Sequence, residues 1–213
     1  MKTDDLISML ATGVVAIDAH VAERRYAKAI ALGATGAAIL MVLLLKIRAD
    51  LLDAILLPMF WIKSGFVASL VGVGLFASMR LSRPGARLDW VPVSIAIPVV
   101  AMWVFAAYVL VAADPQQRST LFLGETWNSC PFLIAMLSLP VFVANIWAMK
   151  GLAPTRLRLA GFSAGLLSGA TAALVYCLHC PEMGAPFIGF WYLLGMLIPA
   201  GVGAWFGESL LRW

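Results

Sequence analysis

The sequence predicts an all-α fold, a polytopic membrane protein of six transmembrane helices preceded by a short N-terminal cytoplasmic amphipathic helix. Three observations predict it. Of 213 residues, 62% are apolar, against roughly 45–50% in soluble domains. Only 12% are charged, about half the usual share. Six separate apolar runs each approach the ~20 residues that a helix needs to cross a hydrocarbon core ~30 Å thick. This composition excludes a water-soluble globule and a disordered chain. Three cysteines in 213 residues exclude a disulfide-built secreted scaffold.

Residues 1–26 read as a cytoplasmic amphipathic segment that stays out of the bilayer. Thr3 is placed to cap a helix, with Asp4 and Asp5 in the first turn, where they favour the helix dipole. Leu6, Leu10, Val14, Ile17 and Val21 form one apolar stripe, widened by Ile7. Ahead of Arg24 and Arg25 stand Lys2 against Asp4, Asp5, Asp18 and Glu23, an acidic excess. Anionic lipid headgroups repel such a helix; a groove on a basic cytosolic partner suits it. The stripe is therefore the expected partner-binding surface.

Residues 27–213 read as one domain of six spans, at 27–46, 57–79, 91–113, 127–148, 160–179 and 187–207. Each run ends at charge, proline or glycine, as in Arg80-Leu81-Ser82-Arg83-Pro84-Gly85. The first run is expected to stay as a span, because it is about twice the length of a signal-peptide core. An even number of spans puts both termini on one side. That side carries Lys2, Arg24, Arg25, Lys28, Arg80, Arg83, Arg87, Lys150, Arg156, Arg158 and Arg212, and the other Lys46, Arg48 and Arg118. Positive loops face the cytoplasm, so both termini are expected there, in a multi-pass protein of a bacterial inner membrane. The same bias explains the net charge of +4 without a nucleic-acid partner.

All three cysteines fall at the opposite, outer face. Cys130 opens the fourth span, and Cys177 and Cys180 close the fifth, in Cys177-Leu178-His179-Cys180-Pro181-Glu182. Three readings stay open: small buried hydrophobes, a redox or thiol-modification sensor, or a soft-metal site. In the last, Cys130, Cys177, His179 and Cys180 would supply the ligands and a soft metal ion would be the partner. Glu182 is the nearest polar neighbour for tuning a thiol. Lys63, inside the second span, either snorkels outward or pairs with Glu125 or Glu182, which would link that span to the cysteines. Trp61, Trp90, Trp127, Trp191 and Trp213 read as interfacial anchors. Gly161, Gly165 and Gly169 form a small-residue stripe for close helix packing. Pro92, Pro98, Pro131, Pro140 and Pro199 predict kinks.

No acidic residue lies inside a span, which weighs against a proton- or cation-coupled transporter. The lone Cys177-x-x-Cys180 pair weighs against a membrane thiol oxidoreductase, which needs a second redox pair or a quinone. No acid–base constellation stands out, so no enzyme activity and no cofactor are expected.

Several motifs occur together: Lys2-Thr3-Asp4-Asp5-Leu6-Ile7, Phe60-Trp61-Ile62-Lys63, Trp127-Asn128-Ser129-Cys130, Leu137-Ser138-Leu139-Pro140, Leu152-Ala153-Pro154-Thr155-Arg156, Tyr176 through Glu182, and Leu211-Arg212-Trp213. On these motifs the chain resembles the NrsF-like family of proteobacterial inner-membrane proteins over essentially its whole length. The resemblance implies a six-span anti-sigma factor that holds an extracytoplasmic-function (ECF) sigma factor inactive at the membrane. It also implies that Cys130 and Cys180 are the stress-sensing thiols. Cys177 falls where many relatives carry an apolar residue. No zinc-binding cytoplasmic domain is present in the pattern, so the inhibitory surface is expected in residues 1–26 and the adjoining loops.

Overall fold

The computed structural model describes residues 3–5, 8, 20–85 and 89–212. Among these there is no strand, and six helices are long and apolar enough to cross a membrane. They are α1 (Val21–Leu44), α3 (Pro58–Leu81), α4 (Val91–Ala112), α6 (Cys130–Lys150), α7 (Leu157–Tyr176) and α8 (Ala185–Leu211). Two short helices, α2 (Leu51–Ile55) and α5 (Pro115–Leu123), lie in the connections at the cysteine end of the bundle. Of the expected partner-binding residues, Leu6, Ile7, Leu10, Val14 and Ile17 lie outside the described residues. Val21 opens α1 and is exposed.

Four helices begin or end three or more residues from their predicted limits: α8 runs on to Leu211 rather than 207, and the other three shift for local reasons. α1 starts at Val21 rather than 27 because its basic residues reach sideways instead of ending it. Arg25 donates to the Gly151 carbonyl at 3.0 Å and lies 5.4 Å over the Trp147 ring. α6 starts at Cys130 rather than 127, with Pro131 in the first turn, where its missing N–H costs nothing. α7 spans Leu157–Tyr176 rather than 160–179, leaving Cys177 to Cys180 as a turn before Pro181. Pro98, Pro140 and Pro199 sit inside helices, whereas Pro92 and Pro131 occupy first turns.

α7 is the central helix and packs against α1, α3, α6 and α8. Residues 160–173 are Ala, Gly, Ser and Thr apart from Phe162, Leu166 and Leu167, so neighbouring backbones approach it from every side. The glycine stripe is a closed seam against α8. A Cβ on Gly161 would land on the Gly203 carbonyl, one on Gly165 on the Pro199 carbonyl, and one on Gly169 2.7 Å from the Met196 carbonyl oxygen. Carbonyls lodged against glycines hold the two helices in one register, so the seam is no surface for sliding. α4 is the most peripheral span, with Trp103, Val104 and Tyr108 exposed. Toward the other end of the bundle, polar side chains pair inside it. Tyr26 and Ser82 meet at 2.8 Å, and Asn145 donates to Ser168 at 2.9 Å.

Candidate thiol site

The end of α7, the start of α6, α3 and a distorted turn of α8 converge on one buried cluster. Pro181 blocks continuation of α7, and the chain instead turns through residues 177–180, with the Cys180 N–H bonded to the Tyr176 carbonyl at 3.0 Å. This brings Cys177 and Cys180 back beneath α7, beside Cys130 in the first turn of α6. All three thiols are free and buried. α8 begins with a single wider turn over Ile188–Tyr192, a π segment of the kind common at functional sites. It places the fully buried Tyr192 ring against Tyr176, centroids 5.8 Å apart. The Tyr192 hydroxyl meets no acceptor of hydrogen-bonding geometry.

Lys63 comes from the second turn of α3 and is completely buried. It neither snorkels nor meets a carboxylate. Its ammonium donates to the main-chain carbonyls of Cys180 and Glu182, both at 3.1 Å, and faces the Tyr192 ring at 4.8 Å. The expected link between the second span and the cysteines is present, but its acceptors are backbone oxygens. The Glu182 carboxylate is engaged on the opposite side. It accepts the Glu125 N–H at 2.7 Å, the Thr126 N–H at 3.2 Å and the Thr126 hydroxyl at 3.3 Å. Gly124 makes room for it. Its φ is +57°, and a Cβ there would stand 2.6 Å from a Glu182 oxygen. Glu182 therefore anchors the turn that leads into Cys130 rather than tuning a thiol.

The loop after α1 completes the site. Lys46 has a left-handed φ of +65°, which turns its carbonyl to accept the His179 Nδ1–H at 2.8 Å. The Arg48 N–H bonds to the Leu178 carbonyl at 3.2 Å, and its guanidinium reaches the Cys180 carbonyl at 3.3 Å and Asp50 at 2.6 Å. The Arg48 bond draws the Asp50 carboxyl down to about 2. With His179 turned to Lys46, the four-ligand set of Cys130, Cys177, His179 and Cys180 does not assemble. Among the described residues no three His, Cys, Asp or Glu side chains converge as a metal-holding group. Sequence reasoning missed Arg48, Tyr176, Tyr192 and the anchoring role of Glu182. The Tyr176 position inside the cysteine motif was the one available signal.

The family described as negative regulator of sigma F, NrsF, matches residues 10–213. The chain is 63% identical to the probable anti-sigma-F factor NrsF of Azospira oryzae over 213 residues, and 40% identical to the anti-sigma-F factor NrsF of Caulobacter vibrioides over 216 residues. Each alignment covers all of both chains. No solved structure matches it. A family match over nearly the whole length, with full-length relatives at these identities, makes this chain a member of the NrsF family of negative regulators of sigma F.

Proposed function

We propose that this protein is an anti-sigma factor of the bacterial inner membrane. It sequesters an ECF sigma factor on the cytoplasmic side and releases it when Cys130 and Cys180, on the periplasmic side, are modified or bridged by an oxidant. The observation that carries this reading is the continuity of α1. The loop that follows its last turn is tied to the thiol turn through Lys46, Arg48, Leu178 and His179. Its other end opens at Val21, the last residue of the partner-binding stripe. A helix of 24 residues, about 36 Å long at 1.5 Å per residue, thus joins the thiols to residues 1–26. A shift at the cysteine turn is delivered to the segment that holds the partner. A trigger releases the partner only if it favours the releasing state over the holding one.

The test is co-purification of the sigma factor with the intact protein in detergent, with and without residues 1–26 and with Leu10 and Ile17 both replaced by charged residues. Each of the two side chains contributes roughly 1.5–3 kcal/mol if buried on the partner, so truncation and double substitution should both release it. Cys130→Ser and Cys180→Ser should keep the partner and blunt its release by oxidants. Retention of the partner by the truncated protein overturns the output surface. Normal release in both cysteine variants overturns the sensing.

A further inference from the structure

A buried cation is costly unless a counter-charge accompanies it, and Lys63 has no carboxylate partner among the described residues. Two carbonyls and an aromatic face solvate its ammonium without neutralising it. The titratable groups around it are Cys130 at the start of α6, Cys177 and Cys180 after α7, and Tyr192 of α8, with Tyr176 at the end of α7 beyond them, beside Cys130 and Cys180. Arg48 approaches Cys180 from the far side, but its charge is met by Asp50 at 2.6 Å. Among these groups, a thiol is the one that ionises most readily.

We propose that Lys63 is a positioning residue that makes Cys180 the reacting sulfur of the three, with Cys130 as the thiol that resolves it. This deepens the thiol-sensing reading above and rests on it. Geometry singles out Cys180, because the buried Lys63 ammonium donates to that residue's own carbonyl at 3.1 Å. The neighbouring Cys130 thiol, with the Lys63 charge behind it and burial opposing, draws the Cys180 thiol down, whereas burial pushes Cys177 up to about 11.

With a hydroperoxide as oxidant, the Cys180 thiolate attacks the nearer oxygen. An S–O bond forms and the O–O bond breaks. The leaving oxygen takes a proton, so the peroxide is reduced by two electrons as Cys180 becomes a sulfenic acid. The Cys130 sulfur then attacks Cys180. The S–S bond forms, the S–O bond breaks, and the departing hydroxide leaves as water with the Cys130 proton. The product has no thiolate, so Lys63 is left as a buried cation without its counter-charge. Loss of that charge drives the 180–182 turn away from α3.

The full-length protein in detergent is treated with hydrogen peroxide and a dimedone-type trap, and adducts are mapped by mass spectrometry. Cys130→Ser should accumulate the adduct on Cys180, and Cys180→Ser should show none on Cys130. Lys63→Met should slow alkylation of Cys180 by iodoacetamide at neutral pH by about tenfold or more and move its pH midpoint up by about one unit or more. Lys63→Arg, which keeps the charge, should restore most of the rate. If Lys63→Met does not fold, the adduct map and Lys63→Arg still decide. An adduct on Cys130 in Cys180→Ser, or an unchanged Cys180 pH profile in Lys63→Met, overturns the proposal. Release that needs both thiols while the adduct maps to Cys130 defeats the role of Lys63 and leaves thiol sensing standing. Peroxide-driven release in both cysteine variants defeats thiol sensing itself.

Discussion

Replacing Gly165 by alanine measures how tightly the α7–α8 seam is closed. A Cβ at 165 would stand 2.6 Å from the Ala200 Cα and against the Pro199 carbonyl, whereas carbon atoms rest about 3.5–4.0 Å apart. The two helices must therefore part by about 1 Å along a line of contacts that runs from Gly161 opposite Gly207 to Gly169 opposite Met196. Overpacking of this kind costs about 1–3 kcal/mol, and the better helix propensity of alanine returns up to about 1 kcal/mol. Gly201, on α8, has nothing within 4 Å of its would-be Cβ and reports the propensity gain alone. Gly165→Ala should thus be less stable than Gly201→Ala by about 1–3 kcal/mol. Reversible unfolding of both variants in detergent micelles gives that difference directly. A Gly165→Ala protein as stable as Gly201→Ala would refute the seam.

Glu182→Ala removes a charged acceptor of two amides, each such bond being worth about 1.5–3 kcal/mol. Hydrogen exchange at the Glu125 and Thr126 amides should rise by about ten- to a hundredfold while the middle of α6 stays protected; unchanged exchange would show that the carboxylate does not hold that turn. Asn145 is buried with its Oδ1 unpartnered, so Asn145→Leu should change unfolding stability by less than about 1 kcal/mol. A loss well beyond that would mean the amide has a further role. For orientation, single cysteines at the exposed positions Leu52 and Pro84, in a chain otherwise free of cysteine, lie at opposite ends of the bundle. A membrane-impermeant maleimide on intact spheroplasts should label Leu52→Cys, and Pro84→Cys only after lysis; the reverse pattern inverts the topology.

The spans were legible because a bilayer imposes length and apolarity on them, and each predicted run corresponds to one helix. Their ends were less so. Arg24, Arg25 and Lys28 look like a boundary in the sequence, yet their flexible stems let α1 continue past them. The gathering of Cys130, Cys177 and Cys180 followed from their depth alone, since antiparallel neighbours bring the end of one helix beside the start of the next. The partners of Lys63 did not follow, because carbonyl oxygens carry no sequence signature. Tyr192 was hidden for a different reason. The wider turn over Ile188–Tyr192 shifts the register of α8, so regular helical spacing assigns that ring to the wrong face. Glu182 was misread because its destination depends on Gly124, distant in sequence and silent about its φ.

The bonds that fasten the 178–182 turn to Lys63 and Arg48 end on main-chain oxygens, so the reactive atom and the structural link at position 180 are separate groups of one residue. Any side chain of similar size at 180 leaves the fastening in place. If Cys180 senses as proposed, a lineage that exchanges it for serine forfeits responsiveness before it forfeits architecture. Its product would be a deaf repressor, still assembled and still holding its partner. Expressed beside the responsive protein, such a variant would compete for the same partner and mask the signal, so the trait would be dominant.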